Sequence, residues 1–377
     1  MSNESRESAM KKKAWFEVAA CLQQMIRDLE DQAKRHPNWP DGIRMHLGRA
    51  SRLLCQVRRF EPTNGGLDRP LKKAGIFGAP KQGKSSIMNA LLGLDILPVG
   101  KPPATNTLVE MVDAQDGDWT LEILYQEGYQ EIQRYNSAVE LKQPLAFYSA
   151  RDNGPSPKET PRKVRVRGPF HQTSRVFNGA MLMDTPGAEA AFEDGDAKEA
   201  DDNPIRAETR CAVEALEEAH VILFCARADN MGAKNVSQFY NREMKMLAPL
   251  NLVNFLDKWE DAEETPCIQA YKFYGFPPDR TMALSARYAY EAGLDPRERK
   301  PEIWEKSRMA ELEDRIILEL QRLEPEKAYE ETMEALRRLR ENHPRIPMKP
   351  KPLFLNALDE KARMVGADVS PAAILRR

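Results

Sequence analysis

The sequence predicts an α/β domain built on a largely parallel sheet, carried between two helical segments that pair into a bundle. Three observations predict it. From about residue 71 to 300, short apolar runs bounded by glycine and proline alternate with helical patterns. Amphipathic helical periodicity precedes and follows that region. A glycine-rich loop joins the first apolar run to a helix.

In chain order, Trp15, Val18, Leu22, Met25, Leu29 and Ala33 recur at helical spacing over residues 14–35 and form one stripe. Pro37 and Pro40 interrupt it. A second helix is expected over Ile43–Phe60, with Leu47, Leu54 and Val57 on one side and Arg44, Arg49, Arg52, Arg58 and Arg59 on the others. Asn64-Gly65-Gly66 marks a loop. Strands are expected at Ala74–Phe77, Leu108–Val112, Trp119–Tyr125, Val164–Val166, Ala180–Met183, Val221–Cys225, Leu250–Val253 and Thr281–Leu284. Met309, Leu312, Ile316, Leu320 and Leu323 predict a helix over Glu302–Leu323. Pro325 interrupts, and a further helix runs to about Asn342. Pro344–Pro352, rich in proline and lysine, reads as an extended linker. The remaining tail is either a short docking helix or disordered. The resulting organisation is 1–70, N-terminal helices of the bundle; 71–300, the α/β domain; 301–343, C-terminal helices of the bundle; 344–377, linker and tail.

At roughly 100–200 residues per domain, 377 residues allow two or three domains. With 56 Lys+Arg against 58 Asp+Glu the formal charge is −2, which argues against a protein that coats nucleic acid. The best apolar runs, Val221–Cys225 and Leu91–Val99, fall well short of the ~20 residues that cross a bilayer. Met1–Lys13 has no apolar core of a signal peptide. Five scattered cysteines include no Cys-x-x-Cys, so a disulfide framework is not expected and a cytoplasmic setting is. The five histidines have no zinc-site spacing.

Gly78-Ala79-Pro80-Lys81-Gln82-Gly83-Lys84-Ser85 fits G-x-x-x-x-G-K-[ST], the P-loop. Such a loop wraps phosphate with backbone N–H groups, so glycines stand where side chains would collide. Lys84 is placed to reach the β- and γ-phosphates, and Ser85 to put its hydroxyl on Mg²⁺. Ser86 opens the helix whose positive end faces the anion. An apolar strand precedes the loop and a helix follows, as the motif requires. Downstream, Met181-Leu182-Met183 leads into Asp184-Thr185-Pro186-Gly187. An acid at the end of such a strand holds Mg²⁺, directly or through water, and the glycine lets its N–H approach the γ-phosphate. Together the two motifs point to a P-loop NTPase, and toward GTPases.

After Leu250–Val253 comes Asn254-Phe255-Leu256-Asp257. It matches the N-K-x-D pattern by which an aspartate selects guanine, with Phe255 in place of lysine. The register Asp257-Lys258-Trp259-Glu260 is the alternative. Ser285-Ala286-Arg287, after the strand Thr281–Leu284, resembles the S-A-[KR] loop whose backbone contacts the guanine oxygen.

With these pieces in order, the chain resembles the dynamin-like GTPases, above all the bacterial members, over roughly residues 71–300. The wording of Gly78–Gly93 carries the resemblance, as does Leu97-Pro98-Val99-Gly100 followed by Pro103-Ala104-Thr105. The resemblance implies a G domain with a mostly parallel central sheet and helices on both faces, plus a flanking α-helical bundle. It implies that Thr105, with Thr107 as the second choice, coordinates Mg²⁺ from the first switch. The catalytic set is then Lys84, Ser85, Thr105, Asp184 and Gly187, with Mg²⁺ on Ser85, Thr105 and Asp184. GTP or GDP is held by Gly78 through Ser86, Asn254, Asp257, Ser285 and Ala286. Ser85 and Asp184 lie 99 positions apart, wider than in Era-like GTPases. Three departures stand out. Pro80-Lys81 occupies the place where many dynamins have a polar residue that positions water. Ala188 offers no glutamine there. The sequence continues only about 75 residues past the G domain, too few for a long stalk.

The function expected is a GTP-hydrolysing switch, with Ala188–Pro204 as its second switch and either an unknown protein partner or a homodimer across the nucleotide face as its activator. The alternatives are an Era-like GTPase on RNA or ribosomes and a non-hydrolysing scaffold; no specific nucleic acid is expected. Lys11-Lys12-Lys13 ahead of Trp15-Phe16 allows peripheral membrane contact, against which packing of the same stripe into the bundle is preferred.

Overall fold

The computed structural model describes residues 3–36, 39, 47, 50, 51, 54, 71–99, 107–125, 128–149, 161–178, 180–187, 211, 212, 215, 216, 218–230, 236, 237, 240–244, 249–254, 270, 272–322, 324–342, 349–367 and 374. They fall in two compact units. One is Leu71–Leu318; the other joins Met1–Pro70 to Glu319–Arg377.

The first unit is built on β1 (Lys72–Phe77), β2 (Leu108–Asp113), β3 (Trp119–Leu124), β4 (Gln130–Tyr135), β5 (Lys163–Gly168), β6 (Ala180–Asp184), β7 (Val221–Arg227), β8 (Leu250–Asn254) and β9 (Thr281–Leu284). They form one sheet in the order β4-β3-β5-β2-β6-β1-β7-β8-β9. The half from β6 through β1, β7 and β8 to β9 is parallel throughout. Antiparallel pairing enters where β2 meets β6 and where β3 meets β5 and β4. Near-continuous apolar burial marks the parallel half, as sheets covered on both faces require.

The apolar runs locate every strand but β4 to within a residue or two. Gln130–Tyr135 has no apolar face to read: its side chains alternate between exposed and half-buried, and its one aliphatic residue, Ile132, is 57% exposed. Pairing with β3 makes it a strand, through a hairpin turned at Gly128 (φ 81°).

Register divides the side chains of the parallel half between two faces. Phe77, Met183, Ile222, Phe224 and Val253 share one face with the buried Tyr240, Tyr274 and Phe276. There the Tyr240 and Phe276 rings lie 4.5 Å apart and Phe224 meets Phe276 edge-on at 5.7 Å. The other face carries Ile76, Asp184, Leu223, Cys225, Leu252 and Asn254. Helix α2 (Lys84–Leu92) buries Ile87, Met88, Leu91 and Leu92 and packs on β1 and β6. Helix α3 (Ala138–Ser149) buries Leu141 and Leu145 against β3 and β5.

Helices α4 (Ala286–Ala292), α5 (Pro301–Ser307) and α6 (Met309–Gln321) follow. The single helix expected over Glu302–Leu323 is therefore two. Arg308 breaks it in a left-handed conformation (φ 59°), and the Ser307 hydroxyl accepts the Met309 N–H at 3.3 Å while donating to the Trp304 carbonyl at 2.5 Å.

The second unit contains α1 (Asn3–Arg35), α7 (Pro325–Asn342) and α8 (Pro352–Met364). Leu22, Met25, Ile26 and Leu29 of α1 are fully buried in one core with Tyr329, Met333 and Leu336 of α7 and Leu355 and Leu358 of α8. Each fully buried aliphatic side chain of this kind contributes about 1.5–3 kcal/mol. Asp28, beside that core, accepts the Lys351 N–H at 2.8 Å, and Gln32 donates to the Lys349 carbonyl at 2.7 Å; both fix the entry to α8. Over Pro352–Met364 the tail thus forms a helix docked on this core. Of the second predicted helix, Leu47, Ala50, Ser51 and Leu54 are described as helical, and Leu47 and Leu54 join the same core. Most of the linker lies outside the described residues.

Candidate functional site

Strand β1 ends at Phe77, and the chain turns through Gly78–Gly83 into α2. This turn lies at the carboxyl end of the central strand, where β6 and β7 flank β1 and the chain order diverges. Open α/β sheets bind ligands at such a point. Two glycines make the turn possible. At Gly78 (φ 147°) an added Cβ would lie 2.4 Å from the Cys225 carbonyl oxygen. At Gly83 (φ 91°) it would lie 2.2 Å from Asn254 Nδ2. Ser86 continues from Ser85 in the first turn of α2.

Lys84 is buried to 7% exposure, and its Nζ donates to the Gly78 and Ala79 carbonyls at 3.1 Å each. Ser85 Oγ donates to Asp184 Oδ2 at 2.7 Å. Asp184 is wholly buried at the end of β6, and among the described residues its Oδ1 has no hydrogen-bond partner. Burial pushes its carboxyl up to about 6, against the Lys84 ammonium and the Ser85 hydroxyl, which lower it. A hydroxyl and a carboxylate in contact, with one buried oxygen unsatisfied, are the donor set of a hard divalent cation, so these residues fit Mg²⁺. Thr185 turns its hydroxyl inward to the Ile76 carbonyl at 2.6 Å. Gly187 lies against the loop: an added Cβ would stand 2.7 Å from the Pro80 ring.

The loop is braced from behind. Gln82 is 2% exposed; its Oε1 accepts the Arg227 N–H at 2.7 Å and its Nε2 donates to Pro80 O at 3.4 Å. The Gln82 carbonyl accepts from Cys225 Sγ and from Asn254 Nδ2, both at 3.2 Å. Burial pushes the Cys225 thiol up to about 12, so this sulfur is a packing donor and not a nucleophile. Asn254 Oδ1 accepts the Ala286 N–H at 3.2 Å. One buried amide therefore ties the phosphate loop to the Ser285-Ala286 loop. Ser285 caps α4 by accepting the Tyr288 N–H at 3.2 Å.

Asn89, which no motif singles out, is a second polar hub at the far end of α2. Its Oδ1 accepts the Leu97 N–H at 2.9 Å, and its Nδ2 donates to Leu97 O at 3.0 Å and Tyr290 Oη at 2.8 Å. These bonds fix the chain where it leaves α2 toward Leu97. Thr107 is buried, with its hydroxyl directed to the Tyr148 and Pro161 carbonyls at 3.4 Å each. Thr105, Asp257 with Phe255 and the alternative register through Glu260, and Ala188–Pro204 lie outside the described residues.

Residues 75–253 match the family model described as the Dynamin family. This stretch is similar to the G domain of that family. Domains of this family bind GTP and GDP. No curated protein sequence matches the chain. Two solved structures of an oligomerised bacterial dynamin pair, described as a mechanism for long-range sensing and tethering of membranes, are similar to it. One has 16% identity and a TM-score of 0.47, covering 86% of this chain and 44% of that one. The other has 13% identity and a TM-score of 0.48, covering 86% and 56%. The chain thus spans about half the length of these bacterial dynamins. Era of Aquifex aeolicus, bound to GDP and an aluminium fluoride, is similar at 17% identity and a TM-score of 0.34, covering 65% and 55%.

Proposed function

We propose that the protein is a dynamin-like switch that binds GTP and hydrolyses it to GDP and phosphate. The observation that carries this reading is the pairing of Ser85 Oγ with Asp184 Oδ2 at 2.7 Å beneath a glycine loop that also buries Lys84. Backbone N–H groups of Gly78–Ser85 would cradle the phosphates, with Lys84 exchanging its loop carbonyls for phosphate oxygens. Ser85, Asp184 and Thr105 would hold Mg²⁺, which when bound neutralises charge on the β- and γ-phosphates. Gly187 would present its N–H to the γ-phosphate and so report its presence to the second switch. Asn254 would hold the Ser285-Ala286 loop in place while Asp257 reads guanine.

The chain offers no glutamine beside Gly187, since Ala188 stands there, and Pro80 has no N–H to donate. These departures support slow intrinsic turnover that rises when two copies meet across the nucleotide face. Among the described residues no helix is long and apolar enough to cross a membrane. Membrane contact in this reading is peripheral. The stripe of α1 that would serve it is buried in the helical core at Trp15, Phe16, Val18 and Leu22.

Fluorescent-nucleotide titration with GTP, GDP and ATP tests the reading. The wild type is expected to prefer guanine nucleotides, and Lys84→Ala to weaken binding by roughly 10²-fold or more, the scale of removing one charged phosphate contact from a closed site. Failure to bind any purine triphosphate in the presence of Mg²⁺ would refute it. Equal binding of ATP and GTP would remove only the Asp257 assignment.

A further inference from the structure

The sheet ends on β4, and among the described residues no strand lies along the outer edge of β4. Which of its groups point there follows from the pairing with β3. The Tyr125 N–H donates to the Tyr129 carbonyl at 3.0 Å, and the register continues through Ile123–Glu131, Leu121–Gln133 and Trp119–Tyr135. Those β4 residues turn their N–H and C=O groups inward to β3, so Gln130, Ile132 and Arg134 turn theirs outward. The next donors at either end are already used. The Gly128 N–H goes to the Tyr125 carbonyl at 3.2 Å, and the Asn136 N–H to Glu140 Oε2 at 3.0 Å. The open edge is therefore confined to Gln130, Ile132 and Arg134 and is centred on Ile132. Their side chains share one exposed face of the strand. Gln133, on the other face, donates to Tyr148 Oη of α3 at 3.1 Å, so α3 lies on the opposite side from Ile132. No proline, bulge or lysine blunts the strand from Gln130 to Tyr135. Such an edge is a template for another strand.

We propose that this edge is an interface with a second copy of the chain, the two β4 strands pairing antiparallel about a two-fold axis at Ile132. The edge is its own complement. A two-fold axis that continues the sheet stands perpendicular to it, so residues of one face oppose residues of the same face. With Ile132 opposite its own copy, Gln130 opposes Arg134 of the second copy, and the reverse. All three pairs are then outward residues, and each exchanges two N–H···O=C bonds. A slip of two residues either way sets an outward residue against Gly128 or Asn136, whose N–H is taken. The side chains agree with this register. The exposed Ile132 side chain buries itself on its copy at the axis. The Gln130 carboxamide oxygen faces the Arg134 guanidinium, and on the other face Glu131 opposes Gln133, so no like charges meet. The inference does not depend on the GTPase reading. Five strand intervals separate β4 from β1, about 24 Å at about 4.8 Å each, so this surface is distinct from the nucleotide face.

The full chain, stripped of nucleotide and Mg²⁺ with EDTA, tests this by sedimentation equilibrium from micromolar to submillimolar concentration. One strand pair makes a small interface, so the dimer is expected to be weak, with the mass rising toward twice the monomer value as concentration increases. Ile132→Lys sets two ammonium groups against each other at the axis. It is expected to stay monomeric at every concentration and to melt at the wild-type temperature, because the side chain it replaces is exposed. Ile132→Cys tests the register. Opposed Cα atoms of a hydrogen-bonded pair lie about 5.5 Å apart, so a short bismaleimide is expected to join position 132 of one copy to position 132 of the other, identified by peptide mass spectrometry. Arg134→Cys sets the two thiols about 14 Å apart along the strands and is expected to link at least about tenfold less. A wild type that is monomeric throughout overturns the proposal and leaves the edge to a strand of another protein. Dimerisation of Ile132→Lys equal to that of wild type overturns it, as does linking at position 134 as efficient as at 132. Because no nucleotide is present, none of these outcomes bears on the GTPase reading.

Discussion

Asn254 shows how much of the site depends on single buried atoms. Its amide is 1% exposed and satisfies one acceptor, the Gln82 carbonyl, and one donor, the Ala286 N–H. Gly83 must lack a β-carbon to let it pass. Asn254→Ala strands the Ala286 N–H away from water and leaves the Gln82 carbonyl only the weak Cys225 thiol donor, at about 1–3 kcal/mol for an unsatisfied group. We expect the variant to lose about 2 kcal/mol in denaturant unfolding and mant-GDP affinity to weaken about tenfold, since 1.4 kcal/mol of lost bracing is a factor of ten. An alanine variant with wild-type affinity would separate the brace from binding. Asn254 is recognisable in the sequence because it opens a strand-end motif. The bracing roles of Gln82, Arg227 and Asn89 are not. Their roles come from contacts across the fold: Gln82 meets Arg227 at a separation of 145 residues, and Asn89 meets Tyr290 at 201. No local spacing encodes such pairs.

At the scale of the element, the strands away from the parallel half are held by charge as well as by apolar packing. Glu110 of β2 is fully buried and meets Lys163 at 2.8 Å, Arg165 at 2.9 Å and Lys73 at 3.2 Å. Burial raises its carboxyl, but Lys163 and Lys73, with Arg165, overcome that and hold it at about 2. A carboxyl lower in the folded than in the unfolded protein stabilises fully above its ordinary value, near 4.5, and loses that contribution as pH falls toward 2. Glu110→Gln removes the carboxylate that all three cations share and leaves Lys73 and Lys163 to Glu218 and Arg165 to Glu122. It is expected to cost about 1–3 kcal/mol at neutral pH and to flatten the stability profile between about pH 4.5 and 2 relative to wild type. Identical pH profiles for the two proteins would show that the network does not couple to folding. The same elements show what patterning reveals. A strand with an apolar run, such as Val221–Arg227, announces itself, whereas β4 has only Ile132 and needs its neighbour to form. The break at Arg308 leaves no trace because arginine carries no left-handed signature. Glycine there would have revealed it.

At the scale of the whole molecule, two cores stand on different segments of the chain. Leu22, Met25 and Leu29 join Met333, Leu336 and Leu358 in the helical unit, closed by residues from both sides of the G domain. Phe77, Phe224, Tyr240 and Phe276 form a core of the sheet unit, which also contains the phosphate loop. A chain of this kind need not unfold in one step, and a ligand stabilises only the unit that binds it. Scanning calorimetry should therefore resolve two transitions. GDP with Mg²⁺ at about 100 times its Kd adds about 2.7 kcal/mol to the sheet unit and should raise one transition alone. Leu22→Ala removes a fully buried side chain at a cost of about 2–5 kcal/mol and should lower the other. The two perturbations act on opposite transitions only if each core carries its own cooperativity. A single transition shifted by both would mean that the bundle and the G domain fold as one, and that nucleotide binding energy reaches the helices through the shared chain.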